Sequence, residues 1–310
     1  MMFPWGKTKE RAAARREFGC RLKHGCSDGH SSSFRQTPSY KHTMQLARSG
    51  TSIWRTARLI LSTAIIAALI RAFLIAGFTI PSQSMMPGLM VGDFFFASKW
   101  DYGWSPYAFS THPFFHGRLF GSLPRRGDVV ILAGVIDPQT TYIKRVMGLP
   151  GDVVEMRAGR LILNGKPLAQ QPKGAFAFAI KPGVTCLAIP GLIDLRVRLK
   201  DGSAGCHMNL WREQLPDGRW HDVTDFAVAR SDTMAPVRVP PGRVFLLGDN
   251  RDDSLDSRFQ TDMGGLGMVP ADRILGKARR IVFSSDGTSS LVRPWTWIGA
   301  WRLSRVGPIN

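Results

Sequence analysis

Residues 59–80, LILSTAIIAALIRAFLIAGFTI, decide how the rest of the chain is read. The run is 22 residues long and holds one charge, Arg71. About 20 apolar residues carry a helix across roughly 30 Å of hydrocarbon, so this run predicts a transmembrane or interfacial anchor, taken with its lead-in as residues 53–80. A guanidinium at mid-membrane is costly. Either Arg71 snorkels, or the hydrocarbon span ends near Ile70 and residues 72–80 lie along the interface. A cleavable leader has a shorter apolar core and an A-x-A-like exit; Pro81-Ser82-Gln83-Ser84 is no such exit, so the anchor is expected to stay.

The flank before the run is basic. Residues 1–58 carry twelve Lys/Arg against Glu10, Glu17 and Asp28, and twelve less three is +9, half of the formal +18 of the chain. Such a flank is cytoplasmic by the positive-inside rule and favours anionic lipid, which puts everything after Ile80 on the outer face. The partner implied is membrane lipid and not nucleic acid, because the tail has neither interleaved aromatics nor a binding module. Residues 1–52 are Ser-, Arg- and Gly-rich without a hydrophobic period and read as a disordered tail, with Met44 as an alternative start. Cys20, His24, Cys26 and His30 have a spacing that suits zinc, and residues 25–29 fit G-x-S-x-G, but no folded surroundings support either reading.

Residues 81–286 read as a mainly β body. Short β-branched runs occur at 129–132, 152–155, 244–247 and 280–283, and Asn164-Gly165 between two apolar stretches signals a hairpin. The aromatic segment 92–122 suits either a membrane surface or a core. Residues 170–238 alternate weak strands with turns and show no chemistry; Cys186 there and Cys206 are free to pair or not in an outer compartment. Trp295, Trp297 and Trp301 beside Arg293, Arg302 and Arg305 suggest that 287–310 is a membrane-interfacial tail.

A serine hydroxyl needs a base to become a nucleophile, and the usual base is histidine. Three stretches carry candidate chemistry: IPSQSMMPGL at 80–89, YIKRVMGLPGD at 142–152, and 248–258, which opens GDNR and closes DSR. All seven histidines (His24, His30, His42, His112, His116, His207 and His221) lie outside them. A lysine replaces histidine only where burial disfavours its charge. Lys144 suits this, since on a strand it shares a face with Tyr142 and Val146. Ser84 stands four residues past the apolar run, between Pro81 and Pro87, which fix φ on both sides of it.

Together the three stretches resemble those of the type I signal peptidases, membrane-bound serine proteases with a Ser/Lys dyad, over about residues 57–285. The resemblance implies coiled antiparallel sheets behind a single N-terminal transmembrane helix, in the inner membrane of a bacterial cell. It implies an endopeptidase that removes signal peptides from exported preproteins after a small-x-small site, without metal or cofactor. It makes Ser84 the nucleophile, Lys144 the general base, and Ser82 the partner of the Ser84 N–H in an oxyanion hole. It makes Ser254 the group that orients the lysine, with Asp256 and Arg258 as one supporting ion pair and Asp249 with Arg145 as another. Pockets for small side chains would be lined by Met85, Leu89, Tyr142 and Ile143 next to the scissile bond, and by Phe78, Ile80 and Phe95 beyond. Gln83 and Gly88 depart from the residues common in relatives, and the Gly-rich 259–268 connection is long.

Other readings are a specialised conjugative-pilin-type peptidase and a non-catalytic, membrane-anchored β-rich binding protein. A self-cleaving Ser/Lys repressor would need a DNA-binding unit that residues 1–80 do not offer.

Overall fold

The computed structural model describes residues 53–108, 115–179, 196–199, 202–226, 228–288 and 293–309. Helix α1, Ile53–Leu69, runs into a single π-helical turn, Ile70–Leu74. The two form one stretch of 22 residues with no side chain buried, long and apolar enough to cross a membrane. The apolar run does not stay helical to Ile80. Its last part is strand β1, Ile75–Thr79, paired antiparallel with β2, Asp93–Ser98, from Ile75 opposite Ser98 to Thr79 opposite Phe94. Hydrophobicity alone does not separate helix from strand here; the partner strand does, by taking up the backbone groups. Gly77 fits the pairing because the Phe94 ring covers it, and a Cβ there would lie 2.5 Å from Phe94 Cζ.

The strands that follow are β3 Val129–Ala133, β4 Thr141–Gly148, β5 Val153–Arg157, β6 Arg160–Leu163, β7 Lys166–Pro167, β8 Gln170–Ala179, β9 Arg196–Arg198 and β10 Ala204–Gln214. After them come β11 Trp220–Thr224, β12 Met234–Arg238, β13 Arg243–Leu247, β14 Val269–Pro270, β15 Ile274–Ser284 and β16 Gly307–Pro308. The main sheet has the order β1-β2-β15-β3-β4-β13-β14, with β16 also on β15. Smaller sheets run β11-β10-β8, with β9 on β10, and β12-β5-β6-β7. All these pairings are antiparallel. Asn164 and Gly165, with φ of 52° and 79°, make the tight β6–β7 turn, as their sequence suggests.

The main sheet is curled by its longest member. β15 breaks register at Ile274/Gly276 and Ala278/Arg280, and again at Ile281/Phe283. Each break adds local twist, so one strand serves β3 near its start and β2 along the rest. β3 is buried throughout and feeds two cores by the period of two: Val129 and Ile131 join Ile80, Met85, Leu89 and Phe95, while Val130 and Leu132 join Val146, Leu246 and Val269. Of the aromatic segment, Phe95 and Tyr102 are core, whereas Trp100 and Phe120 are exposed.

The C-terminal segment is tied to this sheet. Arg305 Nη2 lies 2.6 Å from Oδ2 of the buried Asp93 and donates to Gly88 O at 2.9 Å, and Arg302 donates to Ser284 Oγ and Val91 O. The arginines therefore turn inward, while Trp295, Ile298 and Leu303 are exposed. Cys206 is disulfide-bonded. Cys186, the Cys20/His24/Cys26/His30 group and the 25–29 motif lie outside the described residues.

Candidate active site

Ser84 stands on the connection between β1 and β2, half-buried. Its two successors hold the connection from opposite sides. Met85 enters the core of Ile80, Leu89 and Phe95, and Met86 enters a separate cluster with Phe178, Cys206 and Met208. Each buried methionine contributes about 1.5–3 kcal/mol, so the serine is presented by a loop pinned to two sheets. The backbone is fastened as well: Asn250 N donates to Ser84 O at 3.1 Å, and Asn250 Nδ2 to Gln83 O at 3.3 Å.

Lys144, in the middle of β4, is 3% exposed, and its Nζ donates to Ser84 Oγ at 2.8 Å. Burial pulls the ammonium down from 10.5 to about 8; Asp256 and Asp253 draw it back up, Arg258 pushes it down and Asp249 raises it. Desolvation outweighs the carboxylates because they act at a distance, whereas water is lost from the amine itself. Ser82 Oγ is 3.4 Å from Ser84 Oγ.

The loop after β13 faces the pair. Gly248 N donates to Asp256 Oδ2 at 3.0 Å, and Arg258 Nε to Asp256 Oδ1 at 2.9 Å. A side chain at Gly248 is excluded, since its Cβ would lie 2.3 Å from Ser254 Oγ and 2.5 Å from Ser84 O. Ser254 is buried, but its Oγ has no hydrogen-bond partner and does not bond to the lysine. Arg145 holds Asp249 in a two-pronged bridge, Nε to Oδ1 and Nη2 to Oδ2 at 2.7 Å each.

Six of the seven pocket candidates share one cluster. Ile80, Met85, Leu89 and Phe95 form it, with Phe78 and Ile143 packed against it. Tyr142 is placed elsewhere, against the core of Val130, Leu132 and Val146, because it lies on the opposite face of β4 from Ile143.

A group that sequence reasoning missed stands behind Asp249. Arg251 Nη2 meets Glu213 Oε1 at 2.7 Å, and His221 Nε2 lies 3.3 Å from the same oxygen, all three side chains being buried. Burial opposes ionisation of Glu213, but the charge of Arg251 and contact with His221 outweigh it and hold the carboxyl below its usual range. Burial, then the charge of Arg145, depresses His221. No sequence signal marks these residues; the pairing of β10 with β11 in the fold sets Glu213 opposite His221.

The profile of the "Signal peptidase, peptidase S26" family matches residues 53–283. The chain is 31% identical over 260 residues to signal peptidase I of Rickettsia typhi, covering 78% of this chain and 88% of that one. It is 35% identical over 219 residues to signal peptidase I of Pseudomonas fluorescens, covering 69% and 66%. A crystal structure of signal peptidase I from Enterococcus faecalis aligns with 50% of this chain and 97% of its own at 20% identity and a TM-score of 0.26, a likeness too slight to carry weight. With the family profile spanning most of the chain and relatives above 30% identity over most of its length, this chain belongs to the signal peptidase family of S26 peptidases.

Proposed function

We propose that the chain is a membrane-anchored endopeptidase that cleaves signal peptides from exported preproteins after a small-x-small site, with Ser84 as nucleophile and Lys144 as general base. The observation that carries this reading is the 2.8 Å contact between Lys144 Nζ and Ser84 Oγ, at a lysine that burial brings down to about 8. The neutral amine takes the hydroxyl proton as Oγ attacks the scissile carbonyl carbon. The negative oxygen that forms is met by Ser82 Oγ and the Ser84 N–H. Protonated Lys144 then gives its proton to the departing amine, which leaves an acyl ester on Ser84. Water, deprotonated by the same lysine, hydrolyses the ester and restores both groups. Ser254 Oγ, buried and without a partner, is available to the amine as its proton count changes.

The cluster of Met85, Leu89 and Ile143 beside Ser84, extended by Ile80, Phe95 and Phe78, supports a site for small apolar side chains. In this reading the stretch Ile53–Leu74 spans a bacterial inner membrane, residues 1–52 are cytoplasmic, and the sheets carry the site at the outer face, where a signal peptide's cut end emerges.

The test is cleavage of a purified preprotein by the full chain in lipid vesicles, beside Ser84→Ala and Lys144→Ala. The expected result is a mature N-terminus after a small-x-small site, with both variants slowed by about 10⁴-fold or more. Undiminished cutting by Lys144→Ala would place the base elsewhere, and no cutting by the intact chain would favour a binding protein or a peptidase of narrower substrate range.

A further inference from the structure

We propose that Asp225, Asp232 and Asp252 form a binding site for a divalent cation of the calcium type. Asp225 follows the end of β11, Asp232 closes the 3₁₀ turn Arg230–Asp232, and Asp252 lies in the loop after β13. One carboxylate oxygen of each lies within 4.8 Å of the others. Oxygens about 2.4 Å from a calcium ion stand at most about 4.8 Å apart across it, so the three fit one coordination shell. A donor set of oxygens alone suits a hard cation and not zinc or copper, which favour sulfur and imidazole nitrogen.

A second observation points to a ligand. Asp232 is 7% exposed; its Oδ2 accepts the Ala229 N–H at 2.8 Å, and its Oδ1 is buried with no hydrogen-bond partner. That leaves Oδ1 as the free oxygen Asp232 brings to the cluster, and a carboxylate oxygen withdrawn from water without a donor is costly. Among the described residues, neither Asp225 nor Asp232 has an ion pair within 4.0 Å; Arg251 and Arg258 bridge Glu213 and Asp256 and act on Asp225 only as charges from a distance. The backbone closes one side: Gly159 N donates to Asp232 O at 3.1 Å, and a Cβ on Gly159 would lie 2.5 Å from Asp225 Oδ2. A cation here would fasten the loop of Asp249, Ser254 and Asp256 to the exit of β11 and to the β5–β6 turn. Its binding does not depend on the peptidase reading.

The test uses the full chain in detergent, stripped with a chelator, and follows heat of binding and Tm on addition of calcium chloride, with magnesium chloride in parallel. The expected result is one site, half-filled at about 10⁻⁴–10⁻³ M calcium as in extracellular modules, with Tm rising as it fills. Magnesium should bind at least about tenfold more weakly, because it demands shorter bonds and a stricter octahedron. Asp232→Asn should weaken calcium at least about tenfold while leaving Tm in chelator unchanged or higher, since it removes mutual repulsion. Asp225→Asn gives the same reading if Asp232→Asn does not fold. No heat and no Tm shift up to about 10 mM calcium, or an undiminished response in the Asn variants, would overturn the site. An equal response to magnesium would overturn its calcium character.

Discussion

Lys144 and Arg145 are neighbours on β4 and each is 3% exposed, yet the sheet gives them opposite surroundings. The alternation of the strand sends one to each face. Arg145 meets a carboxylate in both prongs at 2.7 Å and also donates to Gly127 O at 2.7 Å. Lys144 donates to a serine hydroxyl at 2.8 Å and has carboxylates only as distant charges. The guanidinium is matched by a bridging carboxylate; the ammonium, without one, is brought down by burial to about 8, within reach of the neutral form. One neighbour is a structural clamp; the other, in the proposed reading, exchanges a proton with Ser84.

The largest effect falls on the clamp. Asp249→Ala leaves the Arg145 guanidinium buried without its carboxylate and should cost about 3–5 kcal/mol, read from denaturant unfolding of the full chain in detergent. A loss below about 1 kcal/mol would mean that the bridge is not what makes Arg145 tolerable.

Lys144→Met should act in the other direction. The lysine stands at about 8 against an ordinary 10.5, which corresponds to a burial cost on the order of 3 kcal/mol. Below about 8 both folded and unfolded forms are protonated and the cost is present in full. Between about 8 and 10.5 the folded form releases its proton while the unfolded form keeps it, so the intact chain gains stability as pH rises. The methionine variant should therefore be the more stable at pH 7, with a margin that closes through this window, as Tm against pH would show. A constant margin would break the contrast between the two neighbours.

The third effect is on rate. With neutral Lys144 as base, kcat/KM should rise about tenfold per pH unit below about 8 and then level, a gain of about 10²-fold from pH 6 to 8. A flat profile over that range would remove Lys144 from the role.

Much of this was legible in the chain. The β-branched runs became β3, β5, β13 and β15, and Asn164-Gly165 became a hairpin turn, because both are local signals. Ser84 and Lys144 stood out by residue type: a serine just past an apolar run, and a lysine in an apolar strand. Their approach to 2.8 Å was not legible, since it depends on pairing between segments 60 positions apart. The end of the helix near Leu74 was equally hidden, because Ile75–Thr79 is apolar enough for either structure and only β2 chooses. Arg302 and Arg305 read as interfacial charges, but the buried Asp93 draws them inward. Glu213 and His221 gave no sign at all, lying in a segment whose sequence shows no chemistry.

What the sequence by itself determined is the set of local preferences: where the chain is apolar enough to enter a membrane, where it extends or turns, and which side chains have the chemistry of a nucleophile and a base. The tertiary structure decided which buried charge has a partner. Pairing depends on which residues the curled sheet brings face to face, and desolvation of Lys144 is a property of everything packed around it, not of the lysine or its neighbours in the chain.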